Sequence, residues 1–321
     1  MNIAIFTSGG DCAGMNPAIK TFVEECYTRN ITPYLIYDGL EGLIDDSIKK
    51  AEHSDVSGII YRGGTILRSS RSKRFFEKEY RAQAYENLKR KGIEKLIVLG
   101  GDGSFRALDT FYHDFGIDFI GIPSTIDNDI YGTDYCLGVD TALNVIRQAI
   151  DDIRDTAASF RRAFVIETMG RECGYLALVS ALTCGAEVCI IPELKFNLET
   201  LGNKLKDEIK EGRTYAIAIT AEGSNMSEKI EAWFEDEIGL ESRITKLGHI
   251  QRGGNPSVFD RLIASEFVIF SLDRLSETSN NHHAIVYKNS SFDFIDIETV
   301  SAGTYIIKPE LLKMGQPLCG S

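Results

Sequence analysis

The chain repeats one short design, in which an apolar run is followed by a glycine-rich acidic turn and then by a segment with helical spacing. Residues 2–7 precede Ser8-Gly9-Gly10-Asp11, and residues 95–99 precede Gly100-Gly101-Asp102-Gly103-Ser104. Short apolar runs that end at turns are typical of buried parallel strands. The backbone amides at the start of the following helix favour anions. Either turn alone also fits a tight turn without a ligand, but together they predict neighbouring strands of one parallel sheet with a ligand site at their carboxyl ends.

A third apolar run, residues 119–122, ends in the segment Pro123-Ser124-Thr125-Ile126-Asp127-Asn128-Asp129. Thr125, Asp127 and Asp129 all carry or accept protons, and the segment has neither helical nor strand periodicity. A carboxylate beside a hydroxyl at the end of a strand is well placed to take a proton from a substrate alcohol. Asp and Asn also fill ordinary turns for local reasons, so this segment alone leaves both interpretations open.

The length, net charge and cysteine pattern of the chain limit the kinds of protein that it can be. A chain of 321 residues is long enough for two domains, and a formal net charge of −12 argues against a protein that binds nucleic acid through its overall charge. The sequence has no apolar run of membrane-spanning length and no signal-peptide pattern, which predicts a cytoplasmic protein without a membrane partner. Its seven cysteines form no CxxC motif, which favours reduced, mostly buried thiols.

The rest of the chain continues the alternation of apolar runs and helical segments. Residues 139–157 have apolar side chains at spacings of three and four, which predicts an amphipathic helix. Strands are then predicted near 163–167, 188–191 and 215–220, alternating with helices near 173–183, 198–211 and 227–239. The pattern predicts an α/β fold of two doubly wound domains with Rossmann-like, mostly parallel sheets.

Two asparagine–proline pairs are predicted to begin helices. In Asn16-Pro17 and in Asn255-Pro256, the asparagine is the expected N-cap and the proline the expected first helical residue.

The motifs contain a candidate for each part that phosphoryl transfer needs: a phosphate cradle, a metal ligand, a base and cations. The glycine turns are the cradle, Asp102 is the candidate Mg²⁺ ligand and Asp127 the candidate base. Arginines are usually surface charges, so none is evidence of a site by itself. The candidate cations are Arg71, Arg162, Arg171, Arg243 and Arg252.

Taken in order, these motifs resemble those of the phosphofructokinase A family, the short bacterial-type 6-phosphofructokinases, over nearly the whole chain. A lone GGDG also occurs in unrelated lipid and NAD kinases, whereas a full ordered set is far more specific. The resemblance rests on Ser8 to Asp11 with Gly14-Met15-Asn16, Gly100 to Ser104, Thr125 to Asp129, Met169-Gly170-Arg171, Glu222, and Gly248 to Gly254.

The resemblance implies a glycolytic kinase that transfers the γ-phosphate of ATP to the 1-hydroxyl of fructose 6-phosphate. Asp127 would accept the hydroxyl proton, and Asp102 would bind Mg²⁺. The residues implied in catalysis are Asp127, Thr125, Asp129, Arg171 and Arg71. The residues implied in ATP binding are Gly10, Arg71, Ser72, Gly101, Asp102, Gly103 and Ser104. The residues implied in sugar-phosphate binding are Thr125, Asp127, Arg162, Met169, Gly170, Arg171, Glu222, Arg243, His249 and Arg252.

The same resemblance implies the domain organisation and the assembly. A nucleotide-binding domain would comprise residues 1–138 and 251–303, and a sugar-phosphate-binding domain would comprise 139–250 and 304–321. Arg162 and Arg243 would reach the site of a neighbouring subunit, which implies a homo-oligomer, a tetramer in the family.

The phosphate donor is predicted from two positions where this chain can be compared with its family. Ser124 replaces the family's usual glycine, while pyrophosphate-dependent members carry a lysine there. Gly103 keeps the small residue of ATP users, where pyrophosphate enzymes tend to carry aspartate. The sequence favours ATP; the alternatives are a pyrophosphate-dependent phosphofructokinase and a non-catalytic sugar-phosphate-binding subunit.

The family's effector site for ADP and phosphoenolpyruvate is altered in this chain. Arg154, Glu187 and Arg213 match the family pattern, and Lys20 replaces an arginine. Two carboxylates stand where the family has basic residues, at Glu24 and Glu211. Like charges repel a phosphorylated effector, so regulation by these ligands is expected to be weak. Leu40 replaces a tyrosine that is common near the nucleotide.

Overall fold

A computed structural model describes residues 1–320. The strands along the chain are β1 (Asn2–Thr7), β2 (Thr32–Ile36), β3 (Ile48–Lys50), β4 (Lys95–Gly100), β5 (Asp118–Pro123), β6 (Ala163–Thr168), β7 (Val188–Ile190), β8 (Ala216–Ala221), β9 (Ser242–Lys246), β10 (His282–Lys288) and β11 (Ser291–Asp296).

The α-helices connect these strands. They are α1 (Met15–Thr28), α2 (Gly39–Ile44), α3 (Lys78–Arg90), α4 (Asp102–Phe115), α5 (Val139–Phe160), α6 (Tyr175–Cys184), α7 (Leu198–Lys210), α8 (Ser227–Trp233), α9 (Val258–Glu277), α10 (Ile297–Ala302) and α11 (Pro309–Cys319). No helix in residues 1–320 combines the length and the apolar character that crossing a membrane requires.

The chain divides into two compact units. The first comprises Met1–Ile126, Ile130–Thr141 and Arg252–Tyr305, and the second comprises Asp127–Asp129, Ala142–Gln251 and the chain from Ile306 onward. The expected domain limits fall close to these divisions, except that residues 127–129 group with the second unit. The nucleotide and sugar-phosphate roles of the two domains stay predictions.

The first unit is built on a seven-stranded sheet in the order β11-β10-β5-β4-β1-β2-β3. All neighbouring pairs are parallel except β10 with β11 and β2 with β3. In this register Thr7 lies beside Leu99, and Leu99 lies beside Ile122. The carboxyl ends of β1, β4 and β5 therefore meet at one edge, and the predicted adjacency of the three motif strands is confirmed.

The second unit has a four-stranded sheet in the order β7-β8-β6-β9, and all its pairs are parallel. Strands β7 and β8 are buried along their whole length, as is usual where both faces of a parallel sheet are covered. Buried side chains from the strands pack against Leu201 and Leu205 of α7 and against Ile230 and Trp233 of α8. The predicted α/β architecture with mostly parallel sheets is confirmed in both units.

Both asparagine–proline predictions are wrong in detail. Helix α1 begins after Gly14, and the Asn16 side chain is instead used within the first unit, where its amide donates to Arg62 and Gly63 and its oxygen accepts from Ile66. Helix α9 is capped by Ser257, whose hydroxyl accepts from the amide of Asp260. Asn16 does not cap α1 because its side chain bonds to residues distant in the chain. Asn255 does not cap α9 because Ser257, which is nearer to the start of the helix, takes that role.

Candidate active site

The glycine turns of the first unit lie side by side at the carboxyl ends of β1 and β4. The Ser8 amide donates to the Leu99 carbonyl at 2.9 Å, and the Ser104 hydroxyl bonds to the Ser8 hydroxyl at 2.8 Å. Strand β1 is followed by β2 on one side, whereas β4 is followed by β5 on the other. The two turns thus flank the topological switch point, where ligands of open α/β sheets bind.

Asp102, the predicted metal ligand, is the first residue of α4. One of its carboxylate oxygens, Oδ2, pairs with Arg106 at 2.6 Å. The other, Oδ1, is buried and has no hydrogen-bond partner among residues 1–320. A buried carboxylate oxygen without a partner is unfavourable unless a ligand satisfies it, so this atom fits a divalent cation with oxygen ligands.

A cavity of about 370 Å³ in the first unit contains three of the predicted site residues, Gly10, Arg71 and Arg252. A Cβ atom on Gly10 would lie 2.0 Å from Nη2 of Arg252, so only glycine allows this guanidinium so close to the turn. Arg252 also pairs with Asp11 at 3.4 Å. The sequence assigned Gly10 and Arg71 to ATP and Arg252 to the sugar phosphate, and the structure places all three around one cavity.

Ion pairing distinguishes the three arginines in the basic run from Arg68 to Arg74. Arg68 forms a two-pronged pair with Asp38, with both distances 2.6 Å, and Arg74 pairs with Glu41 and Asp45. Arg71 forms no ion pair with any residue of the described chain, and it lines the cavity. Of these three arginines, Arg71 is the one whose charge is available to a ligand.

The remaining residues assigned to ATP differ in accessibility. Gly103 is exposed, and a Cβ atom there would have no described atom within 4 Å. Ser104 is buried, and Gly101 is half-buried. Ser72 is buried, and its hydroxyl accepts from the Phe75 amide at 3.0 Å, which holds the short helical turn that follows. Ser72 is not among the residues that line the cavity beside Arg71.

In the second unit, Asp127 and Asp129 lie next to Arg171. The Nε atom of Arg171 is 3.1 Å from Oδ2 of Asp127, and its Nη1 atom is 3.8 Å from Oδ2 of Asp129. The Asp127 side chain is 7% exposed, whereas that of Arg171 is 66% exposed. A buried carboxylate is thus paired with a cation that solvent and ligands reach. Thr125, which precedes them, is half-buried.

The loop of Met169, Gly170 and Arg171 is held by side-chain acceptors on consecutive amides. The Glu222 carboxylate accepts from Gly170 at 3.2 Å and from Arg171 at 2.8 Å. The Met169 amide donates to Gln251 at 3.2 Å. Gly170 and Arg171 both have positive φ, 133° and 52°. A non-glycine residue in this region costs free energy, so the contacts with Glu222 stabilise an unfavourable backbone.

The two arginines predicted to serve a neighbouring subunit share one carboxylate. Arg162, just before β6, pairs with Glu241 at 2.7 Å, and Arg243 on β9 pairs with the other oxygen of the same carboxylate. His249 is exposed in the short helical turn Gly248–Arg252. Glu241 therefore holds the two guanidinium groups together at one edge of the second sheet.

The structure also shows residues that the sequence did not assign. Thr65, Arg68 and Ser69 line the cavity beside Gly10, and Lys246 lines a second cavity of about 510 Å³ together with Arg171 and Glu222. The basic and hydroxyl-rich composition of residues 68–74 was the available signal for Arg68 and Ser69. Thr65 and Lys246 have no motif around them and are found only from the fold.

Cys173 lies beside the same loop, and its burial raises the pKa of the thiol to about 12, with Glu193, Asp129 and Asp127 adding to the effect. All seven cysteines are free thiols, and six are buried. The predicted reduced and mostly buried thiols are confirmed.

Comparison with known proteins identifies the family of the chain. The family model described as Phosphofructokinase matches residues 2–275. The chain belongs to the phosphofructokinase family. Two similar phosphofructokinases, both named ATP-dependent 6-phosphofructokinase, come from Sulfurimonas denitrificans and Wolinella succinogenes. The first is 58% identical over 312 residues, covering 97% of this chain and 98% of the relative, and the second is 50% identical over 319 residues, covering 99% of each. The family resemblance inferred from the motifs is confirmed.

Solved phosphofructokinase structures share the fold. The phosphofructokinase of Saccharomyces cerevisiae matches 99% of this chain with a TM-score of 0.89 at 30% identity, and this chain spans 48% of that one. A pyrophosphate-dependent phosphofructokinase from Marinobacter aquaeolei matches 100% of this chain and 92% of its own, with a TM-score of 0.82. At 18% identity the second likeness establishes the phosphofructokinase fold alone.

Proposed function

We propose that this phosphofructokinase transfers the γ-phosphate of ATP to the 1-hydroxyl of fructose 6-phosphate, giving fructose 1,6-bisphosphate and ADP. The observation that carries the proposal is the pair of buried Asp127 with exposed Arg171, 3.1 Å apart. A carboxylate in this setting accepts the proton of the hydroxyl as the new bond to phosphorus forms. The relatives named ATP-dependent 6-phosphofructokinase support the same reaction.

Asp127 acts as the base, and the neighbouring groups control its charge and orientation. The Arg171 guanidinium orients the carboxylate and offsets negative charge that develops on the transferred group. Asp129 holds the same guanidinium from the other side at 3.8 Å. Thr125 orients the substrate hydroxyl next to the base.

The donor is held by the first unit. The backbone of Gly10 and of the turn from Gly101 to Ser104 surrounds the phosphates, as in other helix N-terminal anion sites. Arg71 provides a cation that forms no ion pair within the described chain. Asp102, through its unpartnered Oδ1 atom, holds Mg²⁺. When bound, this ion neutralises phosphate charge on the donor.

Backbone and side chains of the second unit hold the sugar. The backbone at Met169 and Gly170, the Arg171 side chain and the Glu222 carboxylate bind the sugar. Glu222 also fixes the loop through two backbone amides, so its carboxylate serves both the loop and the ligand. His249, Arg252 and the neighbour's copies of Arg162 and Arg243 bind the phosphate.

A shared site of this kind makes the enzyme a homo-oligomer, and we assign it the tetramer of its family. Apolar side chains on the surface of α9 support an interface, since Val258 is 84% exposed and Leu262 is 59% exposed. The free thiols fit a reducing compartment, which supports a cytoplasmic enzyme.

A coupled assay that detects fructose 1,6-bisphosphate tests the proposal with ATP and with pyrophosphate as donors. The proposal predicts turnover with Mg²⁺ and ATP and none with pyrophosphate. Faster turnover with pyrophosphate would make the protein a pyrophosphate-dependent enzyme. Binding of fructose 6-phosphate without turnover on either donor would make it a non-catalytic subunit.

A further inference from the structure

We propose that Gln251 is a positioning residue for sugar-phosphate binding, because its side chain ties together the two segments that bind fructose 6-phosphate. This inference rests on the proposed sugar-phosphate site. Gln251 is 1% exposed, so it does not itself meet a ligand in solution. Its effect on the substrate therefore passes through the backbone that it holds.

The Gln251 side chain makes one bond to each segment. Its Oε1 atom accepts from the Met169 amide at 3.2 Å, and its Nε2 atom donates to the Gly248 carbonyl at 3.0 Å. The first bond reaches the loop that carries Arg171, and the second fixes the turn that carries His249. Gln251 is 82 positions from Met169 in the chain, so its side-chain amide connects segments that are distant in sequence.

The chemistry of the partners requires an amide at this position. The Met169 amide needs an acceptor, and the Gly248 carbonyl needs a donor, so the side chain must offer both. A carboxylate offers two acceptors and would face the Gly248 carbonyl with like partial charge. An aliphatic side chain offers neither and would lose both bonds to these part-buried backbone groups.

The two segments that Gln251 joins contain residues with positive φ. Gly248 has a φ of 54°, and Gly170 and Arg171 have φ values of 133° and 52°. Glu222 holds the amides of Gly170 and Arg171, and the Met169 amide is the one that Gln251 holds. Without the Gln251 bond the loop keeps its acidic anchor but loses its connection to the turn of His249.

The test replaces Gln251 with methionine, which has nearly the same length but no polar group. Gln251→Met is expected to raise the KM for fructose 6-phosphate, and its Kd measured calorimetrically without ATP, by about tenfold, the loss of one to two hydrogen bonds. The KM for ATP should stay within about twofold, because the nucleotide residues belong to the first unit and this side chain holds only backbone of the second.

Asn197→Ala is the matched control for a loss of stability in the same unit. Asn197 caps α7 by accepting from the Thr200 amide, so its removal lowers the melting temperature without touching either substrate-binding segment. This control should keep both KM values. Unchanged affinity for fructose 6-phosphate in Gln251→Met would overturn the proposal, as would an equal rise in both KM values.

If the methionine variant does not accumulate as folded protein, Gln251→Glu is measured in the same way. It keeps an acceptor for Met169 and loses only the donor to Gly248, and wild-type affinity there would also overturn the proposal. An unmodified protein that neither binds nor phosphorylates fructose 6-phosphate would refute the proposed function itself. An active enzyme whose Gln251 variants bind the sugar normally would refute this inference alone.

Discussion

Arg171 and Asp127 form an ion pair of 3.1 Å in which the carboxylate is buried and the guanidinium is exposed. Two elements of the second unit bring them together, the segment Asp127–Asp129 and the loop after β6. The guanidinium donates to the buried carboxylate while its other nitrogens remain accessible to a ligand. In the proposed mechanism this one side chain connects the base to the incoming substrate.

Arg171→Leu is expected to lower kcat/KM for fructose 6-phosphate by about 100-fold, the usual cost of removing one group that stabilises developing charge. Arg147→Leu is the control, since it removes an exposed pair with Asp151 on α5 of the same unit. Steady-state kinetics with varied sugar phosphate measures both. Equal activity of the two variants would show that the pair with Asp127 has no catalytic role.

Donor choice is tested at Gly103. Gly103→Asp adds a negative charge to the turn proposed to hold the donor phosphates, and it is expected to lower kcat/KM for ATP by about tenfold or more. The fold should be unaffected, because a Cβ atom at Gly103 meets no described atom within 4 Å.

Thr110→Asp is the control for this charge, because Thr110 is exposed two turns further along α4. It should leave the kinetics with ATP unchanged. Full ATP activity in Gly103→Asp with an unchanged melting temperature would refute the assignment of this turn to the donor phosphates.

Much of the fold could be predicted from the sequence, because most of its central strands are short apolar runs with abrupt ends. The three motif strands were predicted as neighbours, and the structure places β5, β4 and β1 side by side. Strands β3, β9 and β11 were not predicted. Their burial patterns include several exposed or half-buried residues, so they lack the continuous apolar run that marks a central strand.

The candidate site could be predicted only in part from the sequence, for a related reason. Residues in motifs, such as Asp102 and Arg171, were named from the sequence. Contacts between distant segments were not, since no local pattern pairs Glu241 with Arg162, or Gln251 with Met169. Asn16 shows the same effect, because long-range hydrogen bonds replaced the expected helix cap.

Regulation is expected to be weak, because two of the three remaining cations of the effector positions, Lys20 and Arg213, are already paired with carboxylates. Lys20 pairs with Glu24 on α1, and Arg213 pairs with Glu187 at 2.6 Å and with Glu208 at 2.7 Å. A phosphorylated effector would have to compete with these carboxylates. Millimolar ADP or phosphoenolpyruvate should therefore shift the saturation curve for fructose 6-phosphate only slightly.

Glu211→Arg restores a cation at the end of α7 and should increase the response to these effectors. Glu237→Arg makes the same charge change at another exposed position of the second unit and should not. A strong response of the unmodified enzyme would show that the carboxylates do not block the site. The absence of any gain in Glu211→Arg would show that Glu211 does not limit it.

The proposed sharing of the site between subunits predicts that two inactive variants complement each other. When chains with Asp127→Ser and chains with Arg243→Ser assemble together, some sites combine an intact Asp127 from one chain with an intact Arg243 from the other. Equal mixing across a two-fold interface should restore about a quarter of wild-type activity. Activity no higher than that of the separate variants would show that each site uses the Arg243 of its own chain.

The most direct test of the account is the turnover of Asp127→Ser at saturating ATP and fructose 6-phosphate. A general base acts mainly in the transition state, so kcat should fall by about two to four orders of magnitude while the affinity for fructose 6-phosphate changes little. Asp129→Ser serves as the comparison, because its carboxylate lies 3.8 Å from Arg171 and should cost much less. Near-normal kcat in Asp127→Ser would contradict the assignment of Asp127 as the base.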